Sequence, residues 1–520
     1  MEQVWETGGG IMDIPSTTDL PAPSPPSPTF TLHTYGMQML CNGGKPHKRD
    51  LRAHKVALRR RRMQNSELHS LRSDFLLKLR VAQENRSEAA IFFPHNVDFR
   101  GRAYTIHPHL NHLGADNCRG LLQFAEARPL GARGLRWLRI QVANLYGGGV
   151  DKLPLEEREE WVVARLADVA DSARHPLAGR LWWQQAEDPW QCLATCMELA
   201  EAEAHPDPAT FLSRLPIHQD GSCNGLQHYA ALARDEEGGR AVNLLPGDRP
   251  ADVYKGIADL VRVEVADEAA GRGNLDAMAH ARMVEAHVDR KLVKQTVMTS
   301  VYGVTFLGAR DQILNRLRER KAFESQADTK VAAVYAARKV LEAMGEMFSN
   351  ARNVMDWLNE CARDIAQHDL PVRWRSPVGL PVVQPYRKRG KRSVQTVLQT
   401  FTVMVPTEHL PVIKTKQRTA FPPNYIHSLD SAHMMLTALA CDNAGLTFAG
   451  VHDSFWTHAG TVDEMGSILR GTFIELHSAP LLQQLYDDFR NLYPQVVFRD
   501  PPLLGTLRLD NIQDSVYFFA

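Results

Sequence analysis

Two acidic residues stand in contexts that suit phosphate chemistry. Asp220 ends the apolar stretch Leu215-Pro-Ile-His-Gln-Asp220 and is followed by Gly221-Ser-Cys-Asn-Gly225. A carboxylate at a strand end, with glycines beside it, lets a metal ion and phosphates approach the backbone closely. Asp453 lies in Val451-His-Asp-Ser-Phe455, between two short apolar runs. Mg²⁺ favours one or two carboxylates completed by water and substrate phosphates, and two such ions can stabilise both the attacking and the leaving oxygen of an in-line phosphoryl transfer. The chain has 60 acidic residues, so two of them far apart in sequence do not define a site by themselves. A third feature adds cations. In Arg290-Lys-Leu-Val-Lys-Gln-Thr-Val-Met-Thr-Ser-Val-Tyr-Gly303, read as a helix, Arg290, Lys294, Met298 and Tyr302 recur every four residues and drift through only ~120°. That stripe offers cations for a triphosphate and an aromatic for a base or sugar, and Gly303 is suited to end the helix. A basic amphipathic helix without a ligand has the same pattern.

The elements that must position these groups belong to a chain of 520 residues, long enough for more than one domain. Sixty Lys and Arg balance sixty Asp and Glu, so nucleic-acid binding would depend on local clusters rather than on a global field. Seven scattered cysteines form no regular framework, which suits a reducing compartment. Cys192 and Cys196 are spaced like half a metal site, but no second Cys/His pair completes it, and they read as structural. No apolar run reaches the ~20 residues of a membrane helix. The opening Met-Glu-Gln-Val-Trp-Glu has the character of neither a signal peptide nor a transit sequence, so targeting is not legible here.

Residues 15–29 are Pro-rich and read as a flexible linker within a mostly disordered segment, 1–47. From Lys48 to Asn85 the sequence is helical and basic, including Arg59–Arg62. Globular sequence runs from about Ala90 to Ala520 without an internal repeat. Helical patterns dominate 130–210 and 250–370. Short β-like runs fall at Leu215–Gln219, Val372–Val383, Val394–Val405 and Leu446–His458, the last as two strands about a tight turn around Asp453. The expected class is α+β, with a small sheet approached by helical insertions. Basic clusters occur at Arg387-Lys-Arg-Gly-Lys-Arg392, in a junction between β-like runs, and at Lys414, Lys416 and Arg418.

Four blocks in this order resemble the single-subunit, phage-type RNA polymerases, and the wording around Lys294–Thr305 is most similar to the mitochondrial branch. They are Asp98-Phe-Arg-Gly-Arg102, the Asp220 block through Gln227-His228, the Arg290–Gly303 helix, and Val451-His-Asp453. Arg234-Asp-Glu-Glu-Gly-Gly-Arg-Ala-Val-Asn-Leu-Leu-Pro246 and Phe421-Pro-Pro-Asn-Tyr-Ile-His-Ser-Leu-Asp430 extend the resemblance, which covers about 90–520. Each block alone is weakly specific; the ordered set is highly specific.

The resemblance implies a right-hand polymerase fold: a palm with a small antiparallel sheet from 90–250 and 425–520, helical fingers from 251–424 including the basic loop 387–418, and a reduced thumb whose basic helical remnant is 48–89. It implies that Asp220 and Asp453 hold two catalytic Mg²⁺ ions. Lys294 and Arg290 would grip the incoming triphosphate. Met298, Tyr302, Gly303, Tyr254 and His427 would line the nucleotide's pocket, with Tyr302 and His427 serving ribose choice. Arg100, Arg102, Arg387, Lys388 and Arg389 would meet nucleic acid. DNA template, RNA transcript and rNTPs are the implied partners, with initiation and elongation factors, a monomeric chain, no membrane, and a mitochondrial location.

Two alternatives compete. Family A DNA polymerases share the palm layout and a Lys…Tyr-Gly helix but carry a glutamate shortly after the first catalytic aspartate. Here no carboxylate follows Asp220 until Asp235, and Ser454 stands after Asp453 where those enzymes usually place Glu. An open ribose pocket follows, and hydrogen-bonding a 2′-OH discriminates strongly against the sugar lacking it. The second alternative is a truncated nucleic-acid-binding form, because fewer than 100 residues precede the Asp98 block where the family carries a promoter-melting domain and most of a long thumb helix. The expectation is chemical competence without autonomous promoter initiation.

Overall fold

The computed structural model describes residues 1–24, 48–272, 275–300, 303–405 and 410–520. They form two compact units: Met1–Pro94, Thr105–Ala125 and Ala167–Ala200 in one, and His95–Tyr104, Glu126–Leu166 and Glu201–Ala520 in the other.

In the first unit the basic stretch is one helix, Lys48–Asn85. It contains neither Gly nor Pro and is rich in Leu and Arg, both strong helix formers. Lys78–Asp74 and Arg80–Glu84 pair across single turns. Its buried Phe75 meets Trp5 of the short helix Glu2–Glu6, with ring centroids 5.3 Å apart. Of the expected linker, 1–24 is described and 25–47 lies outside the described residues. Arg72 donates to the carbonyls of Ser16 and Thr18, and Asn65 bonds Leu20 through both its amide atoms. Side chains of the long helix thus supply the hydrogen bonds that a Pro-rich segment cannot make with itself. Cys192 and Cys196 are fully buried, one turn apart, in the helix Pro189–Ala204.

The second unit is organised by a three-stranded antiparallel sheet, with Ser454–His458 between Ala449–Val451 and Pro216–Asp220. The register sets Ser454 opposite Asp220, Trp456 opposite His218 and Val451 opposite Ser454. Every residue of the central strand is buried, so it is covered on both faces. His218 stacks on Trp456 at 4.0 Å, a cross-strand pair that fixes the register. The run Leu446–His458 is therefore two strands about a two-residue turn, His452-Asp453.

Helices pack on this sheet. Asn224–Ala233 is buried along its whole length. Lys414–Asn443 runs 30 residues with Pro422 and Pro423 inside it, a helix the sequence pattern does not announce. The prolines lack the N–H groups that would bond the carbonyls of Arg418 and Thr419, and burial from Phe421 to Met434 on nearly every side compensates. Between 253 and 367 the described residues are mainly helical: Val253–Asp267, Arg290–Ser300, Phe306–Glu319, Gln326–Met347 and Ser349–Gln367 are the long elements. Each remaining β-like run holds a turn. Arg373–Arg375 pairs with Pro381–Val383, and Gly390–Gln395 pairs with Thr400–Val405. The basic cluster read as a junction is thus partly strand, because Lys391 and Arg392 lie in the hairpin's first arm. Helices with small antiparallel sheets make the class α+β.

Candidate active site

Asp220 closes its strand, Asp453 occupies the second position of the facing turn, and both are exposed. The Gly221 N–H donates to the Asp453 carbonyl at 3.1 Å, joining the two backbones directly. Gly221 leaves little room for a side chain. A Cβ there would lie 3.0 Å from Gln227 Oε1 and 3.2 Å from the Phe519 ring. His452 takes a left-handed backbone (φ 58°), a conformation that costs energy for a residue with a Cβ and brings the chain round in two residues. The C-terminal residues support the strand end from the other side, with Ala520 N–H donating to the Asp220 carbonyl.

The cationic stripe forms as the spacing predicts. In the helix Arg290–Ser300, Leu292, Val293, Thr296 and Val297 are buried while Lys294 and Met298 are exposed. The Arg290 guanidinium lies 5.4 Å and the Lys294 ammonium 5.9 Å from the centre of the Tyr254 ring, so both cations gather at one aromatic ring. Tyr254 is largely buried, and burial, with the neighbouring Cys223 thiol, raises its hydroxyl's pKa. Desolvation pushes the Cys223 thiol up to about 11, with the Asp453 charge adding to the rise. Gly303 has φ 71°, and a Cβ there would come within 3.3 Å of the Thr419 carbonyl, the one left without its helical donor by Pro423. Ser300, Gly303, Arg418 and Thr419 line part of a cavity of about 590 Å³. Tyr302 lies outside the described residues.

A third group gathers around the Asp98 turn. Asp98 Oδ1 accepts the backbone N–H groups of Arg100, Gly101 and Arg102, and its Oδ2 accepts Nε and Nη2 of Arg100. Gly101 has φ 110° and packs against Ser431, where a Cβ would lie 2.6 Å from the hydroxyl. Arg100 Nη1 meets His427 Nδ1 at 2.6 Å, and Arg102 is paired with the buried carboxylate of Asp430. Burial, reinforced by the charges of Arg102 and Arg100, holds His427 neutral with its pKa driven down to about 2. Burial also raises the Asp430 carboxyl against the pull of Arg102, and the Asp453 charge contributes to the rise. Of the three basic residues at the hairpin base, Lys388 and Arg389 are exposed, while Arg387 donates to the Leu410 carbonyl at 2.7 Å.

Asp220 and Asp453 are thus brought together, as are Arg290, Lys294 and Tyr254, and as are Arg100, Arg102 and His427. Sequence reasoning assigned no role to Asp98, Asp252, Cys223 or Asp430. Asp98, an acid just ahead of a glycine turn, and Asp252, an acid at the start of a helix, carried local signals. The others are picked out by partners distant in sequence.

The DNA-dependent RNA polymerase family model matches residues 128–500. The chain belongs to this family, the single-subunit, phage-type enzymes that its ordered blocks resemble. Over its whole length it is 50% identical to the mitochondrial DNA-directed RNA polymerase 1B of Nicotiana tabacum. It is 51% identical to the chloroplastic/mitochondrial DNA-directed RNA polymerase 2 of Arabidopsis thaliana and 48% identical to the chloroplastic DNA-directed RNA polymerase 3 of Nicotiana sylvestris, again over all of this chain. The chain spans about half the length of the curated relatives it matches.

Proposed function

We propose that this chain carries the catalytic centre of a DNA-directed RNA polymerase, which transfers ribonucleotides from rNTPs to an RNA 3′ end on a DNA template. The observation that carries the reading is the antiparallel register that sets Asp220 opposite Ser454 and so beside Asp453, in a chain of this family. In the reaction the RNA 3′ oxygen attacks the α-phosphorus, a new P–O bond forms, and the bond to the β-phosphate oxygen breaks to release pyrophosphate. Asp220 and Asp453 would hold Mg²⁺. The donors fit: they are hard carboxylate oxygens, and among the described residues no group of three or more His, Cys, Asp and Glu forms a closed cage. Remaining ligands would therefore come from water and phosphate, as Mg²⁺ favours. When bound, two such ions would neutralise charge on the attacking and leaving oxygens.

Around that chemistry the side chains divide the work. Arg290 and Lys294 face the triphosphate and offset its charge. Tyr254, Met298, Gly303 and Tyr302 shape the nucleotide's pocket. His427, neutral, serves ribose recognition. Lys388, Arg389 and the hairpin they introduce are read as nucleic-acid contacts. The palm is assigned to 90–250 and 425–520, the fingers to 251–424, and the thumb side to 48–89. The relatives' names place those proteins in mitochondria, chloroplasts or both, and mitochondrial transcription is the role carried over to this chain. No helix among the described residues is long and apolar enough to cross a membrane. Extension of an RNA primer annealed to a DNA template, with Mg²⁺ and rNTPs, tests the reading. A labelled primer that stays at its starting length would overturn it.

A further inference from the structure

A guanidinium has only donors, so its contact with an imidazole nitrogen identifies that nitrogen as an acceptor. Arg100 Nη1 lies 2.6 Å from His427 Nδ1. The lone pair of Nδ1 is therefore in use, and the ring's single proton resides on Nε2. Arg100 is itself held. Its Nε and Nη2 donate to Asp98 Oδ2 at 2.9 and 2.6 Å, and its carbonyl accepts the Ser428 hydroxyl at 2.9 Å. The turn that carries it is closed by three backbone N–H bonds to Asp98 Oδ1. All three guanidinium nitrogens are thereby bonded inside the protein, a geometry that suits aiming a neighbour more than gripping a phosphate.

We propose that Asp98 and Arg100 lock His427 as the Nε2–H tautomer, which makes Arg100 a positioning residue for ribose selection rather than a contact to nucleic acid. The inference rests on His427 serving the ribose. Given that role, Nε2–H is the group that donates to a 2′-oxygen, a bond that a 2′-deoxy sugar cannot accept. Burial and the neighbouring Arg102 keep the ring neutral, so the Nε2 proton is retained without a second on Nδ1.

Two readouts test this. The first is the ratio of kcat/KM for an rNTP to that for the matching 2′-dNTP in single-nucleotide primer extension. Arg100→Met, which keeps length but removes the donors, is expected to lower the ratio about tenfold, near the value for His427→Ala, and Arg100→Lys to recover most of it. If Arg100→Met slows both nucleotides alike and the ratio holds, Arg100 contacts nucleic acid and the proposal fails. The second readout does not need activity. In protein labelled with ¹⁵N-histidine, the His427 resonances, assigned by their loss in His427→Ala, should show a protonated Nε2 and a bare Nδ1. That pattern should be lost in Arg100→Met. An Nδ1–H pattern in the unaltered protein overturns the proposal. If the unaltered protein extends no primer, the polymerase reading falls, while the nitrogen shifts still decide the tautomer.

Discussion

Asp252 and Arg290 are joined by a hydrogen-bonded ion pair, Arg290 Nε to Asp252 Oδ2 at 2.5 Å, while the other oxygen of the same carboxylate caps the helix Val253–Asp267 through Tyr254 and Lys255 N–H. One carboxylate therefore starts a helix and holds the cation proposed to face the triphosphate. If Arg290 receives the triphosphate as proposed, the Asp252 carboxylate competes with it for the guanidinium. Because the pair is partly exposed, its hold is modest, about 1 kcal/mol or less. Asp252→Asn keeps an oxygen for the cap and removes the competing charge. It is expected to lower KM for rNTPs by about two- to fivefold with kcat little changed. Asp252→Ala should also lose the cap, at about 1 kcal/mol of stability in urea unfolding. An unaltered KM in the Asn variant would mean that the pair does not compete with substrate.

Gly101→Ala should be disproportionately harmful for a single methyl group. The residue has φ 110°, and the new Cβ would meet the Ser431 hydroxyl at 2.6 Å. Strain and crowding together are expected to cost about 2–4 kcal/mol, seen as a shift of the urea midpoint. Because the same turn aims Arg100, the ribose-to-deoxyribose ratio should fall with it. A midpoint within error of the unaltered protein would show that the turn relaxes freely.

Acid should destabilise the chain earlier than carboxylate protonation alone would explain. His228, His433 and His477 are buried together, with His228 Nδ1 and His477 Nε2 2.9 Å apart. Burial lowers all three, to about 4 for His433 and about 3 for His477. Unfolded, each would titrate near 6.5, so below that pH the unfolded chain binds protons the native one does not. Stability is then fully present above pH ~6.5 and falls as pH drops toward the native values, by about 1.4 kcal/mol per pH unit for each histidine. Urea unfolding between pH 6.5 and 5 should show this slope, reduced by about one histidine's share in His477→Gln. An identical slope in that variant would exclude His477 as a source.

Tyr302→Phe should relax sugar choice, raising 2′-dNTP use relative to rNTP use about tenfold, while primer binding stays as it was. The expectation rests on the family resemblance of the Arg290–Gly303 block. A dNTP-to-rNTP ratio equal to that of the unaltered protein would remove Tyr302 from ribose selection.

The strand-end acids were legible because the signals are local. An apolar run ends at Asp220, two short runs flank Asp453, and a period of two fixes which residues meet once the strands pair. The cationic stripe was legible for the same reason, since its faces follow from spacing within one helix. The helix Lys414–Asn443 was not. It carries two prolines and, buried on nearly all sides, lacks the one-sided apolar pattern that marks a surface helix. Nor were the ion-pair partners of Asp430 and Asp252. Arg102 finds Asp430 across 328 positions and Arg290 finds Asp252 across 38, and no local rule selects those carboxylates from the sixty acidic residues of the chain. Arg100 and Arg102 were expected at nucleic acid, whereas their guanidinium groups are bonded within the protein, a fact that depends on the Asp98 turn docking against the helix that carries His427.

The most direct measurement of the central claim compares the unaltered chain with Asp453→Asn in primer extension on a DNA template with Mg²⁺ and rNTPs. Asp453 is exposed in its turn, so the isosteric change should leave the urea midpoint in place. The account predicts extension by the unaltered chain and a loss of about a hundredfold or more in the variant. Equal extension by the two proteins would contradict it.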